Sequence, residues 1–228
     1  MAKTQQRRKT QQRETNWVVI GGLIGVGVLI FGGLLFLALR TPPAETVLPL
    51  VDYCSENPDS CIAEGDTNAP VKVVEIADFG CPHCQDFHEN TAGPLREQYV
   101  DTGQVEWITL PYALSTTTLP ASAAAMCAAE QTSYFDYAQA LFGIEDANVR
   151  ISSTGLREAA EELNLNIDDF VSCLDSGRYS GIVSDNRTAA SRVGVTGTPS
   201  FFVNGEMITG AQPLNVFQQA ISDALSSS

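Results

Sequence analysis

The sequence predicts an α/β fold, one mixed sheet carrying a helical insertion, behind a single N-terminal membrane-spanning helix. Three observations predict it. A 23-residue run without charge, Trp17 to Leu39, stands near the start. A β-branched run followed by a helix and a second apolar run begins at Pro70. A long helical stretch then leads to a hairpin and a last amphipathic helix, so parallel and antiparallel pairing share one sheet. Of the 228 residues 44% are hydrophobic, enough for a core, and the charged fraction of 18% is too low for a disordered chain.

Residues 1–16 form a basic tail with Lys3, Arg7, Arg8, Lys9 and Arg13 against Glu14. Residues 17–39 are long enough to cross a hydrocarbon core of roughly 30 Å as a helix. The run exceeds the apolar region of a cleaved signal peptide, and its exit, Leu37-Ala38-Leu39-Arg40, lacks an A-x-A pattern, so an uncleaved signal-anchor is expected. Five basic residues before the span against Arg40 just after it place the N-terminus in the cytoplasm and the rest outside. Beyond residue 16 the chain holds eight basic and 26 acidic residues, a formal charge of −18, which repels phosphate and argues against nucleic-acid binding. All six cysteines lie on the outer side of the span, and an even count there reads as disulfides.

Residues 40–67, rich in Pro, Glu, Asp and Ser, are expected to be an extracytoplasmic tether, with Cys54 and Cys61 inside it. The folded domain is expected over 68–228. Val71, Val73, Val74 and Ile76 form a short run suited to a buried strand. Cys81-Pro82-His83-Cys84 opens a helix through Tyr99, with Pro94 expected to interrupt it. Val105 to Leu110 reads as a second strand. Pro120 to Phe142 is expected as one helix with Thr118 as cap, followed by helices at 156–163, 170–174 and 178–193. Ser200 to Val203 and Met207 to Thr209, joined by Asn204-Gly205, make a hairpin. Leu214, Phe217, Ile221 and Leu225 share one face of the final helix.

Two cysteines separated by two residues at a helix start suit thiol–disulfide exchange. The thiolate attacks, and a helix N-terminus lowers its pKa through unpaired N–H groups and the dipole. Cys81 would therefore be the exposed nucleophile, and Cys84, one turn inward on the same face, the shielded thiol that resolves the mixed disulfide. Pro82 is tolerated in a first turn. His83 offers a positive charge or an N–H donor to the Cys81 thiolate; the alternative is an exposed polar residue. Stabilising the thiolate favours the reduced form and makes the pair a disulfide donor. A metal site remains open: Cys81, Cys84 and His88 offer three soft or borderline ligands for copper or zinc. Glu75, inside an apolar strand, is either an outward-facing residue or a buried carboxyl with a raised pKa that trades a proton with Cys84. Between a glycine and a strand, a cis Thr198–Pro199 bond would bring exposed backbone beside Cys81, where an extended substrate can pair.

The segments V-V-E-I-A-D-F-G-C-P-H-C (Val73 to Cys84) and V-T-G-T-P-S-F-F-V-N-G (Val195 to Gly205) together resemble the DsbA-like thiol–disulfide oxidoreductases. That family is a branch of the thioredoxin fold with an inserted helical domain, here at about 113–193. The resemblance runs from about Pro70 to the C-terminus. It implies that Cys81 is the nucleophile, Cys84 the resolving thiol, His83 a tuner of their potential, Glu75 the buried carboxylate, and Pro199 a cis proline preceded by Thr198. Some relatives carry a structural disulfide in the insertion, which makes Cys127 and Cys173 the first choice of pair. Closing their 47-residue loop is worth roughly 4 kcal/mol in the chain-entropy model. A Cys54–Cys61 bridge, closing eight residues and worth roughly 2–3 kcal/mol, is preferred to a redox relay through the tether.

The resemblance implies a membrane-tethered oxidase that donates the Cys81–Cys84 disulfide to reduced secreted or envelope proteins and needs no organic cofactor. It also implies reoxidation by a quinone-linked membrane protein of the DsbB or VKOR kind. Thr198 is common in reductive and isomerising relatives too, so the reverse direction stays open. A metal-binding envelope domain is the alternative of another class. Asn186-Arg187-Thr188 would be a glycosylation site in a eukaryote.

Overall fold

The computed structural model describes residues 49–227. The expected basic tail, the membrane span and residues 40–48 of the expected tether lie outside them, and no helix among the described residues is long and apolar enough to cross a membrane.

Five strands form one sheet in the order β1-β3-β2-β4-β5. β2 (Val71–Ala77) is central, parallel to β3 (Val105–Pro111) and antiparallel to β4 (Ser200–Val203). Val71, Val73, Val74 and Ile76 are all fully buried, as a strand covered on both faces requires. β4 turns into β5 (Glu206–Thr209) through Asn204 and Gly205, both at positive φ (44° and 88°), which a two-residue hairpin turn demands.

The structure corrects the tether. From Pro49 the chain is built into the fold: α1 (Pro49–Glu56) packs below the sheet, and β1 (Ile62–Glu64) pairs antiparallel with β3. Leu50 and Cys54 join Ile76, Leu110, Tyr112 and Phe202 in the core of that face. A three-residue strand is too short to show a period, and the polar residues around it read as linker.

On the opposite face lies α2, residues 82–100. It alternates α turns (Pro82–Phe87, Gly93–Leu95) with π turns (His88–Ala92, Arg96–Val100). Pro94 has no N–H for the carbonyl four residues back, and the helix absorbs this by widening rather than ending. Phe87 anchors α2 with ring centroids 4.5 Å from Phe201 and 5.3 Å from Phe217, the latter on the last helix of the chain, Leu214–Ser227.

The insertion between β3 and β4 is helical, as expected, with two differences. The single helix over 120–142 is two, α3 (Leu119–Ala128) and α4 (Tyr134–Phe142). The break falls at Glu130-Gln131-Thr132, and the Ser133 hydroxyl caps the second by accepting from the N–H groups of Phe135 and Asp136. A short α5 (Ala147–Arg150) also precedes α6 (Ser153–Glu162), α7 (Ile167–Ser176) and α8 (Ser180–Arg192). α3 is apolar on every side and buried from Ala121 to Ala128, the centre of the insertion. With α9 naming the C-terminal helix, the order is β1-β2-α2-β3, insertion, β4-β5-α9.

Candidate active site

Cys81 stands at the N-cap of α2 and Cys84 within its first turn, and both are free thiols. The turn that presents them leaves β2 at Ala77 and is tied by backbone: Cys81 N–H donates to the Asp78 carbonyl (3.0 Å), and Gln85 N–H to the Cys81 carbonyl (3.2 Å). Cys84 is wholly buried and Cys81 nearly so, at 8% exposure. The Cys84 sulfur accepts from Asp78 N–H at 3.5 Å.

The two thiols differ sharply in acidity. The Cys81 pKa falls from 9.0 to about 5. A hydrogen bond from the Cys84 thiol is the largest cause; the Thr198 hydroxyl and the backbone N–H groups of Cys84 and His83 add to it against the cost of burial. Burial pushes the Cys84 thiol far upward, and the neighbouring Cys81 sulfur pushes it further. The pair therefore ionises at one sulfur and holds its proton at the other.

Across from Cys81, the Thr198–Pro199 bond is cis. The Thr198 carbonyl accepts from the Cys81 thiol at 3.4 Å, and the buried Thr198 hydroxyl, near enough to help lower the Cys81 pKa, makes no regular hydrogen bond among the described residues. The two motifs, 117 positions apart in the chain, thus meet at one sulfur. His83 behaves differently from its expected role. Its ring is 72% exposed and lies 3.7 Å from an Asp86 carboxylate oxygen, so it is the backbone N–H, not the imidazole, that acts on Cys81.

Glu75 is buried, as the resemblance implies and not outward-facing, but the expected direction of its pKa is corrected: it is lowered rather than raised. Burial pushes it up, but the His88 imidazole at 2.7 Å and the Trp107 indole N–H at 2.9 Å outweigh that cost. Both carboxylate oxygens are taken by these partners, which does not favour a proton trade with Cys84. His88 is turned to Glu75 and stacked on Phe142 (4.3 Å between centroids), away from the metal set proposed for it. Among the described residues no three His, Cys, Asp or Glu side chains gather as a metal site. Glu75 and His88 instead border a cavity of about 670 Å³ whose other walls include Thr109, Tyr134 and Phe142.

Three buried polar residues, Asp78, Arg150 and Asn186, hold positions that the sequence did not reveal. Asp78 accepts from Gly80 N–H (2.7 Å), Leu114 N–H (2.6 Å) and the Thr118 hydroxyl (2.6 Å), fixing the turn before Cys81 to the loop after β3. Thr118 thus spends its hydroxyl on Asp78 and gives α3 no side-chain cap. Arg150 is fully buried beside the same turn. Asn186 accepts from the Tyr53 hydroxyl and donates to the carbonyls of Ser60 and Pro111, joining α8 to the α1–β1 segment. Being wholly buried, it is no glycan acceptor. The remaining cysteines pair as Cys54–Cys61 and Cys127–Cys173, the second joining α3 to α7.

The profile of the family described as Thioredoxin matches residues 57–223. A Na(+)/H(+) antiporter NhaA 3 of Salinispora tropica is 33% identical over 75% of this chain, which spans only 26% of the antiporter's length. A probable disulfide bond formation protein D of Bacillus anthracis is 25% identical over 83% of this chain and 88% of its own length. Among solved structures, Wolbachia pipientis alpha-DsbA1 superposes with a TM-score of 0.65 at 27% identity, over 72% of this chain and 90% of that one.

Proposed function

The chain belongs to the thioredoxin family, and from that premise we propose that it is a DsbA-type protein thiol–disulfide oxidoreductase, donating the Cys81–Cys84 disulfide to reduced secreted or envelope proteins. The observation that carries this reading is the asymmetry of the pair: a Cys81 thiol acidified to about 5 beside the cis Thr198–Pro199 peptide, and a buried Cys84 that keeps its proton.

The chemistry follows from that asymmetry. A substrate thiolate attacks the Cys81 sulfur of the oxidised pair; the S–S bond breaks and its electrons go to Cys84, which takes a proton. A second substrate thiolate then attacks the substrate sulfur of the mixed disulfide and expels Cys81 as a thiolate. In sum, two substrate thiols lose two electrons and two protons; the pair gains two electrons and one proton, and the other proton goes to solvent. Because Cys81 leaves already ionised, its low pKa makes it a good leaving group and favours the reduced pair. An extended substrate strand beside the cis peptide would be held against the Cys81 sulfur.

Action outside the cytoplasm is supported by the two further disulfides, which persist in oxidising compartments, and by the charge-free run at 17–39 with its basic flank. The signal-anchor and the quinone-linked DsbB- or VKOR-like reoxidant belong to the same proposal. The test is to mix oxidised full-length protein with a reduced, unfolded protein bearing several thiols and to follow disulfides by mass spectrometry. Transfer that is abolished by Cys81→Ser, with a pair potential near or above that of glutathione, supports the donor. A potential close to thioredoxin's would reverse the direction and make this a reductase.

A further inference from the structure

Arg150 is an anomaly in so acidic a protein. It is wholly buried, yet among the described residues no carboxylate lies within ion-pair distance of it. Its guanidinium is held by neutral acceptors instead. Nε donates to the Ile144 carbonyl (3.0 Å), Nη2 to the Glu145 carbonyl (3.2 Å) and to the Gln85 side-chain oxygen, and Nη1 to the Phe79 carbonyl (3.2 Å). The Phe142 ring lies under it at 5.7 Å. Phe79 stands two residues before Cys81, and Gln85 directly follows Cys84. One side chain from the helical insertion therefore grips both flanks of the redox-active turn.

We infer that Arg150 is a positioning residue of the exchange reaction, whose buried charge, clamped against the turn, favours the reduced pair over the disulfide. The physical reason lies in what its environment lacks. A buried cation without an anion is costly, and neutral carbonyls offset only part of that cost. The oxidised pair carries no charge and leaves the cation with only the carboxylates of Glu89 and Asp146, neither in ion-pair contact with it. Reduction to a Cys81 thiolate supplies the missing negative charge close by. Burial lowers the Arg150 pKa; Glu89 most, then Cys84 and Cys81, and last Asp146 act electrostatically against that effect. The cation would thus make the pair more oxidising, through a residue that the helical insertion supplies.

This inference rests on the proposed exchange activity, and one experiment separates the two. Full-length wild-type, Arg150→Gln and Arg150→Lys proteins are equilibrated in glutathione buffers, thiols are labelled, and the alkylation of Cys81 is followed against pH. If the wild-type pair does not exchange with glutathione, the proposed function fails. If it does, Arg150→Gln, which removes the charge, should shift the equilibrium about tenfold toward the disulfide, roughly 30 mV for a two-electron couple. Its Cys81 alkylation midpoint should also rise. Arg150→Lys keeps the charge and should stay within about threefold of wild type. A glutamine variant that is less heat-stable but unchanged in equilibrium and midpoint would reduce Arg150 to a packing residue and overturn the inference. Should that variant not fold, the lysine variant decides: a tenfold loss with the charge still present would refute it equally.

Discussion

Replacing Cys84 by alanine tests the account of why Cys81 is acidic. The Cys81 pKa is depressed from 9.0 to about 5, so its contribution to the stability of the reduced protein is complete above pH 9.0 and is lost as the pH falls through about 5. At pH 7 the thiolate lies about two units above its pKa, on the order of 2–3 kcal/mol in favour of the reduced fold. The largest single cause is the Cys84 S–H, which stays protonated because burial pushes its own pKa up. A hydrogen bond to a charged group is worth about 1.5–3 kcal/mol, or roughly 1–2 pKa units. The Cys81 midpoint in Cys84→Ala should therefore rise to about 6–7, and Cys84→Ser, which returns a donor, should bring most of the shift back. Alkylation of Cys81 by iodoacetamide as a function of pH, read by intact mass, measures it directly. An alanine variant with its midpoint still near the wild-type value would refute the argument and leave the helix N-terminus and Thr198 as the source of the acidity.

Further outcomes follow from the same contacts. Glu75→Gln should cost about 3 kcal/mol at neutral pH by stranding His88. Since the Glu75 pKa lies below 4.5 in the fold, that stabilisation is present above 4.5 and is lost as acid protonates it, so wild type and variant should converge in thermal melts at low pH. Asn186→Ala removes three hydrogen bonds that fasten α8 to Tyr53, Ser60 and Pro111; a loss of about 2–3 kcal/mol should be accompanied by faster proteolysis between α1 and β1. Unchanged cleavage there would mean that the segment is held by other contacts. Breaking the insertion's disulfide with Cys127→Ala and Cys173→Ala should lower stability by roughly 4 kcal/mol in denaturant melts, while the Cys81 alkylation profile stays where it was. Asp78→Asn puts an amide donor against Leu114 N–H and the Thr118 hydroxyl; a cost of about 2 kcal/mol is expected by calorimetry.

Much of the scaffold was legible because its elements carry their own local signals. β2 is a β-branched run too apolar for a half-exposed strand, and burial on both faces is what such a run requires. The hairpin needed only Asn204-Gly205, since few dipeptides accept positive φ at both positions. What failed to show were features smaller than a period. β1 spans three residues, α5 four, and the break between α3 and α4 rests on a few polar residues with Ser133 as the cap. The tether reads as linker for the same reason: Leu50 and Cys54 are isolated apolar residues in a polar stretch, and only packing on Ile76, Leu110 and Phe202 of the sheet's lower face makes them core.

The site divides along a different line. Cys81, Cys84 and the Thr198-Pro199 dipeptide are recognisable because their chemistry is local: a cysteine pair at a helix start, and a proline between a glycine and a strand. The polar residues that hold or balance them are not, because their meaning depends on what the fold brings up against them. Glu75 read as an outward-facing residue or a raised buried acid because nothing in its strand announces His88 and Trp107, whose contacts reverse the direction of its pKa. His83 shows the converse: its ring, adjacent in sequence to both sulfurs, points to solvent, while Thr198, 117 positions from Cys81, supplies a carbonyl to the thiol and a hydroxyl that favours the thiolate. Arg150 lies 71 positions from the carbonyl it grips. In sequence it is one of eight basic residues in an acidic body, which reads as surface. Burial is what changes its meaning, since a solvated arginine is screened whereas one enclosed by carbonyls and an aromatic ring is screened much less.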